Sequence, residues 1–219
     1  MQEPGPEPFE TLRWEPGAGG FARLDAHLAR LARAAGHLGV TSSAASARAA
    51  LTAAVAERSE PARVRLLLAR TGVPGVTTAP LPAATDAVVS VGVAFELVDE
   101  SDPLRRHKTT ARALYDLATA RAQAIGLADI VFLNRRGAVA EGGISNVFVR
   151  RGDALVTPPV DAGALPGVLR GELLGTGRCV VGDVTLAELE AGEFYLGNSL
   201  RGLRRARLAP GMVAVSSEP

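Results

Sequence analysis

The sequence predicts an α+β protein made of two lobes. In the first hundred residues, two alanine-rich helical patterns precede three β-rich runs, and after residue 107 a further helical pattern leads into short strands with tight turns. The acidic, proline-containing stretch DESDP lies between these parts. We therefore expect a small α+β lobe over 1–100, a linker over 101–107 and a larger α/β lobe over 108–219.

Periodicity and turn residues predict the elements of the first lobe. Prolines at positions 4, 6 and 8 predict an irregular lead-in, and FETLRW, from Phe9, alternates as a strand does. Leucines at helical spacing between Asp25 and Gly39 predict the first helix. A Ser-rich cap predicts a second helix that stops before Pro61, and ARVRLLLAR, GVTTAPL and DAVVSVGVAFEL are predicted strands.

The second lobe is predicted to open with a helix and to continue with strands. ALYDLATARAQAIGL has an amphipathic helical pattern, and DIVFLN, AVAE, SNVFVRR and ALVTPP are typical of short strands. LPGVLRGELLG predicts a helix with Pro166 and Gly167 in its first turn, where proline is preorganised. After EFYLGNS, a basic tail closes the chain.

Composition and charge narrow the class of protein. Of 219 residues, 47% are hydrophobic and 21% charged, as in soluble globular proteins. The 24 basic and 23 acidic residues nearly cancel, which argues against nucleic acid or a membrane surface as the main partner. Cys179 is the only cysteine, so an intramolecular disulfide and a cysteine-based zinc site are excluded and a cytoplasmic setting is expected. His27 and His37 lack ligand partners, so no metal site is predicted.

One lysine stands out because of its position in the chain. Lys108, in the segment HKTTARALYD, follows the acidic break and precedes a helical pattern, so it lies at the junction of the lobes. We interpret it as a Schiff-base lysine. The alternative is a surface lysine beside Arg105 and Arg106.

Three segments of the second lobe each permit a structural and a functional interpretation. EGGISNVF offers a carboxylate at Glu141, although it is also typical of a hairpin end. TPPVDAGALPGVLR offers amides at a helix N-terminus that could bind phosphate, a property of every such helix end. GNSLRG offers the Ser199 hydroxyl after a strand. Each signal is weak by itself.

Together with Lys108, these segments resemble the signature of the class IV pyridoxal-phosphate aminotransferases. FETLRW, HLARL and HKTT are also similar to segments of that family, so the likeness runs from Phe9 to about Arg207. It implies the two-lobed D-amino-acid aminotransferase-like fold and pyridoxal 5'-phosphate as cofactor. The matching signature positions are Glu141, Gly143, Asn146, Phe148, Leu155, Thr157, Leu165, Gly167, Val168 and Arg170.

The resemblance assigns roles around the cofactor ring. Lys108 is expected to form the Schiff base and then to transfer protons as general acid and base. Glu141 is expected to pair with the pyridine nitrogen and so to help the ring accept electrons. Asn146 is expected to order the loop that carries Glu141.

The resemblance also assigns residues to the cofactor phosphate. Arg30 matches the family arginine in HLARL, while the Val168 and Leu169 amides and the Ser199 hydroxyl complete the expected cradle. Arg33, one turn further along, has no family role and is interpreted as a solvated charge.

Substrate contacts are expected from three further residues. Thr11 falls where the family strand lines the substrate side, which makes it a candidate for substrate binding or proton transfer. Arg65 and Arg112 could bind substrate carboxylates, or either could be structural. His107 is interpreted as a packing residue. The resemblance also implies a homodimer acting on a small-molecule substrate.

Within the family, the chain most resembles the 4-amino-4-deoxychorismate lyases. HKTT, EGGISNVFV, GALPGVLRGELL and GNSLRG carry this likeness, which implies formation of 4-aminobenzoate and pyruvate in folate biosynthesis. The alternative is a class IV aminotransferase acting on branched-chain or D-amino acids, and a third interpretation is a cofactor-binding relic without activity. The short GVPGVTTAPLP and the PEPGPEP start depart from family patterns in the region that would form the substrate pocket.

Overall fold

The computed structural model describes residues 5–210 and 214–215, which form two compact units. Unit 1 comprises the described part of Met1–Ala84 with His107–Ala111 and Ser199–Arg201. Unit 2 comprises Thr85–Arg106, Arg112–Asn198 and the described part of Gly202–Pro219.

Unit 1 is a four-stranded antiparallel sheet with two helices. The sheet order is β2-β1-β3-β4. The strands are β1 (Phe9–Glu15), β2 (Gly20–Phe21), β3 (Ala62–Leu68) and β4 (Pro74–Pro80), and the helices are α1 (Leu24–His37) and α2 (Ala44–Val55).

The core of unit 1 follows from alternation in the strands. Leu12 and Trp14 of β1 are buried, and their partners across the sheet, Val64 and Ala62 of β3, are buried with them. This apolar face packs against the buried residues of α1 and α2 in one cluster. The Ser-rich cap predicted for α2 is confirmed, since the Ser43 side chain accepts a hydrogen bond from the Ser46 amide at 3.1 Å.

Unit 2 is a nine-stranded mixed sheet with three helices. Its order is β10-β9-β8-β11-β12-β5-β6-β7, and β13 pairs with β5. The helices are α3 (Ala113–Ala124), α4 (Val168–Gly175) and α5 (Leu186–Glu190). The strands are β5 (Val89–Ala94), β6 (Asp129–Leu133), β7 (Val139–Gly142), β8 (Asn146–Arg151), β9 (Ala154–Thr157), β10 (Cys179–Val181), β11 (Phe194–Asn198), β12 (Gly202–Leu208) and β13 (Ala214–Val215).

The two units divide the chain differently from the predicted boundaries at 1–100, 101–107 and 108–219. The segment DAVVSVGVAFEL was assigned to the first lobe, but β5 within it pairs in parallel with β6 and β12 and so belongs to unit 2. Lys108 was assigned to the larger lobe, but residues 107–111 group with unit 1. Both differences arise from hydrogen bonds between segments distant in sequence.

Three local predictions also need correction. The helix predicted from LPGVLRGELLG begins at Val168, so Pro166 and Gly167 precede it instead of forming its first turn. The basic tail is the regular strand β12. Part of the predicted irregular lead-in is paired, since Pro8 forms an isolated antiparallel bridge with Thr109, whereas residues 1–4 lie outside the described residues.

None of the helices within the described ranges is both long and apolar enough to cross a bilayer.

Candidate active site

Backbone pairing fixes the segment that carries Lys108 to the start of β1. The Phe9 amide donates to the Lys108 carbonyl at 3.0 Å, and the Thr110 amide donates to the Glu7 carbonyl at 2.9 Å. The Glu7 amide in turn donates to the Thr110 hydroxyl at 3.0 Å. Backbone hydrogen bonds on both sides of Lys108 therefore hold this segment against the chain that leads into β1.

The Phe9 ring organises the side chains around Lys108. Lys108 Nζ lies 4.4 Å from the ring centroid, and Arg65 Cζ lies 4.0 Å from it. Thr11 and Arg65 are direct partners across β1 and β3, so their side chains share one face of the sheet. Two of the predicted residues, Lys108 and Arg65, thus meet at one aromatic side chain within unit 1, and Thr11 lies on the same face of the sheet as Arg65.

On the opposite face of β1, a buried polar network joins the sheet to α1. Arg30 donates from Nε to Glu10 Oε1 at 2.8 Å and from Nη2 to Glu10 Oε2 at 2.6 Å. His27 Nδ1 lies 2.7 Å from Glu10 Oε2, and its Nε2 lies 2.8 Å from Ser199 Oγ. The network therefore connects Arg30 with Ser199, the two unit 1 residues predicted to bind phosphate.

The charge of Glu10 is stabilised by its partners. Burial raises the pKa of this carboxyl, but the charge and hydrogen bonds of Arg30 and the hydrogen bond of His27 outweigh burial and lower it to about 2. Glu10 is therefore ionised at neutral pH and holds the Arg30 guanidinium in place.

In unit 2, three donors surround the Glu141 carboxylate at the end of β7. Tyr115 donates its hydroxyl to Oε1 at 2.8 Å, and Arg105 donates from Nη2 to the same oxygen at 3.2 Å. The Leu165 amide donates to Oε2 at 2.9 Å. Glu141 is buried, and these contacts fix both of its oxygens.

Tyr115 remains a neutral donor to this carboxylate. Burial raises the pKa of the Tyr115 hydroxyl, and the negative charge of Glu141 raises it further, against the opposing charge of Arg105. The hydroxyl proton is therefore retained throughout the physiological range.

Asn146 supports the turn that contacts Glu141. Its side-chain amide donates to the Leu165 carbonyl at 2.8 Å, while the Leu165 amide holds Glu141. A Cβ at Gly167 would lie 1.9 Å from Asn146 Oδ1, so this close approach requires glycine. Asn146 thus holds the turn whose amide contacts Glu141.

Buried Asp129 shapes the turn that follows Glu141. The amides of Ile130 and Ile144 donate to its Oδ1 at 2.9 and 3.3 Å. Burial raises the pKa of Asp129, although these donors and Ser145 oppose the shift. A Cβ at Gly143 would lie 2.2 Å from Thr119 Oγ1, which explains the small residue of the EGG motif.

The remaining predicted residues of unit 2 lie at two helix starts. Val168 and Leu169 are the first residues of α4, where amide groups have no partner within the helix. Arg112 precedes α3 and donates from Nε to Asp116 Oδ1 at 2.7 Å and from Nη2 to the Gly143 carbonyl at 2.8 Å. These contacts support the structural alternative for Arg112.

Sequence reasoning overlooked four residues that organise these clusters. Glu10 shares its strand face with Leu12 and Trp14, and a charged residue in an apolar alternation is a signal for a buried partner. The others are His27, which was treated only as a non-ligand, and Arg105 and Tyr115, to which no role was assigned. His107 stacks on His37 with ring centroids 4.2 Å apart, a packing contact of the kind predicted.

The chain is similar to proteins of a known family over most of its length. Residues 7–209 match the model of a family described as Amino-transferase class IV. A solved structure from Mesorhizobium loti, named "Putative amino-acid aminotransferase", is 38% identical to this chain and superposes with a TM-score of 0.88; the match covers 94% of this chain and 100% of the other. These matches confirm the predicted fold, and pyridoxal phosphate is confirmed as the cofactor of the family.

Curated relatives match over shorter segments. The aminodeoxychorismate lyase of Bacillus subtilis is 44% identical over 66 residues, which are 30% of this chain and 21% of the lyase. A protein named "Probable branched-chain-amino-acid aminotransferase" from Thermotoga maritima is 29% identical over 104 residues, 44% of this chain and 37% of the relative. The matched segments thus span well under half of either relative.

Proposed function

The chain belongs to the class IV aminotransferase family, and we propose that within it the protein is a pyridoxal-phosphate-dependent lyase. It converts 4-amino-4-deoxychorismate to 4-aminobenzoate and pyruvate, a reaction of folate biosynthesis. The observation that carries this choice is the 44% identity with the Bacillus subtilis aminodeoxychorismate lyase, together with the segments HKTT, EGGISNVFV and GNSLRG.

Lys108 is proposed as the Schiff-base lysine and the proton-transfer group. It is the only lysine among the 24 lysines and arginines of the chain, so no other side-chain amine is available for this role. Partly buried over the Phe9 ring and fixed by its backbone, its amine can give and take protons at a defined position. When bound, the cofactor supplies an electron sink for the carbanion formed at the substrate carbon.

Glu141 is proposed as the partner of the ring nitrogen. Its carboxylate is buried and held by Tyr115, Arg105 and Leu165, so its orientation costs little further entropy when a ligand arrives. Asn146 supports that orientation through the Leu165 turn. An anionic, fixed carboxylate is the chemical group that a basic ring nitrogen requires.

The phosphate is proposed to bind Arg30, Ser199 and the amides of Val168 and Leu169. Glu10 and His27 order the first two residues, and the start of α4 supplies the amides and the favourable end of the helix dipole. A guanidinium, a hydroxyl and helix N-terminal amides form a donor set suited to a phosphate dianion.

Thr11 and Arg65 are proposed to face the substrate. Both project from the sheet face on which Phe9 lies, and the exposed Arg65 guanidinium can bind a carboxylate of the dianionic substrate. Thr11 can hold or relay a proton beside Lys108. Arg112, already bonded to Asp116 and Gly143, is the weaker candidate for a substrate contact.

Borohydride trapping tests the cofactor assignment. Reduction of the purified protein after incubation with pyridoxal phosphate should add one pyridoxyl group at Lys108, located by fragment mass spectrometry. Lys108→Ala should lose both this modification and the visible absorbance of the lysine-bound cofactor. Unchanged absorbance in that variant would show that the assignment is wrong.

Product analysis tests the reaction. Incubation with 4-amino-4-deoxychorismate should yield 4-aminobenzoate and pyruvate in equal amounts. The second candidate function, amino-acid transamination, is supported by the likeness to the Mesorhizobium loti protein over 94% of this chain. Transfer of an amino group to a keto acid without formation of 4-aminobenzoate would decide for that alternative.

A homodimer is also proposed, on the family resemblance alone, and a cytoplasmic setting is proposed from the single cysteine. Gel filtration with light scattering should give twice the chain mass of 22.6 kDa. A fully active monomer would contradict the dimer.

A further inference from the structure

Arg105 is seated in unit 2 as part of the Glu141 cluster. Its Nη2 donates to the Gly163 carbonyl at 2.9 Å, to Glu141 Oε1 at 3.2 Å and to the Tyr115 hydroxyl, and its Nε donates to the Gly163 carbonyl at 3.2 Å. The Arg105 side chain is only 9% exposed and that of Glu141 only 11%. This arginine is therefore a fixed, largely buried charge.

The backbone at Gly163 leaves space for the Arg105 guanidinium. Gly163 has φ of 97°, a conformation that strongly favours glycine, and a Cβ there would lie 2.9 Å from Arg105 Nε. The neighbouring arginine differs: Arg106 pairs with Asp161 at 2.7 Å, and their side chains are 56% and 80% exposed. Arg106 and Asp161 thus form a solvated ion pair, of the kind that contributes little to stability. Arg106 therefore provides a matched control for Arg105.

The ion pair with Arg105 changes how strongly the Glu141 carboxylate favours a positive charge on a nearby ring nitrogen. A lone carboxylate beside a ring nitrogen favours the protonated, cationic ring because opposite charges attract. A guanidinium bonded to the same carboxylate balances much of the negative charge and repels a second cation nearby. Tyr115 remains neutral and adds no negative charge.

We propose that Arg105 is a positioning residue that acts through Glu141 and lowers the positive charge held on the cofactor ring nitrogen. The inference rests on the proposed function, since it takes Glu141 as the partner of that nitrogen. A less cationic ring withdraws electrons less strongly. That property suits a reaction in which departure of the enolpyruvyl ether is driven by formation of an aromatic product.

Nitrogen NMR of the loaded protein tests the inference without an activity assay. Wild type, Arg105→Gln, Arg105→Lys, Glu141→Gln and Arg106→Gln are loaded with pyridoxal phosphate carrying ¹⁵N in the ring, and their ring ¹⁵N shifts are compared at the same near-neutral pH. The glutamine at 105 can still donate hydrogen bonds, and Arg105→Met removes the same charge with different packing should the first variant fold poorly. Circular dichroism checks the fold of each.

The expected shifts have opposite signs. Arg105→Gln should move the resonance upfield, toward a pyridinium nitrogen, and Glu141→Gln should move it downfield. The ring ¹⁵N shift of Arg105→Lys, which keeps the charge, should stay nearer to the wild-type value. The shift of Arg106→Gln should equal the wild-type value. A shift in Glu141→Gln together with no shift in Arg105→Gln and Arg105→Met would overturn the inference and leave the role of Glu141 intact. No shift in Glu141→Gln would refute that role, and the inference with it.

Discussion

Two buried carboxylates, Glu10 in unit 1 and Glu141 in unit 2, are each paired with an arginine but differ in their other partners. Glu10 is fully buried between Arg30 and His27, so charged or chargeable side chains occupy both of its oxygens. Glu141 retains 8% exposure, and its donors include two neutral groups, the Tyr115 hydroxyl and the Leu165 amide. The first arrangement suits a permanent structural link, whereas the second leaves a carboxylate that can still respond to a ligand.

The largest effect is expected from Glu10→Gln. The substitution leaves the buried Arg30 guanidinium without its counter-charge, which typically costs about 3–5 kcal/mol of unfolding free energy. Denaturant unfolding measures the loss. Glu15→Gln, on the same strand but paired at the surface with Arg13, should change stability by less than about 1 kcal/mol. Equal losses in both variants would contradict the structural role of Glu10.

Glu141→Gln should reduce catalytic activity more than stability, unlike Glu10→Gln, whose main effect is on stability. We expect kcat/KM to fall on the order of 10²–10³-fold, as when a preorganised charge partner is removed. Stability should fall by less than in Glu10→Gln, because Arg105 keeps the Gly163 carbonyl as an acceptor. Steady-state kinetics and denaturant unfolding on the same preparation measure both quantities. A stable variant with wild-type kcat/KM would remove the distinction between the two carboxylates.

Acid should weaken the Glu10 link. Because the pKa of Glu10 is lowered from 4.5 to about 2 in the folded state, its contribution is fully present above pH 4.5 and is lost as the pH falls toward 2. Between pH 5 and pH 3 this loss amounts to about 2 kcal/mol. The stability gap between wild type and Glu10→Gln, measured by urea unfolding across this range, should therefore narrow. A constant gap would show that Glu10 does not titrate as described.

A further effect is expected from His27→Phe, which keeps an aromatic ring and removes both nitrogens. The Ser199 hydroxyl loses a partner, so stability should fall by about 1–3 kcal/mol and cofactor affinity should weaken. Equilibrium dialysis with pyridoxal phosphate measures the affinity. His37→Phe, on the exposed end of the same helix, should bind the cofactor as wild type does.

Local sequence signals predicted the helices and strands well because their causes are local. The alternation of FETLRW, the leucine spacing of α1 and the Ser43 cap each act within a few residues. The membership of β5 in unit 2 depends on pairing with β6 and β12, segments far along the chain. No pattern within DAVVSVGVAFEL itself contains that information.

The sequence likewise predicted only part of the candidate site. The motif residues Lys108, Glu141 and Asn146 could be selected because their spacing matches a family signature. The contacts of Arg105 and Tyr115 with Glu141 could not be predicted, because a charged residue after a proline turn or a tyrosine in a helix has many ordinary uses. Only the folded chain shows that both meet the same carboxylate oxygen.

Residues 199–201 lie late in the chain but belong to unit 1, and this has a consequence for protein synthesis. Ser199 is the partner of His27 Nε2, yet it leaves the ribosome long after α1 and Lys108 have emerged. Since N-terminal regions fold first during translation, the network of Glu10, His27 and Arg30 forms before its hydroxyl partner exists. A nascent chain arrested before residue 199 thus carries the proposed Schiff-base lysine but lacks Ser199 of the proposed phosphate site, so on this proposal we expect cofactor loading to require near-complete translation.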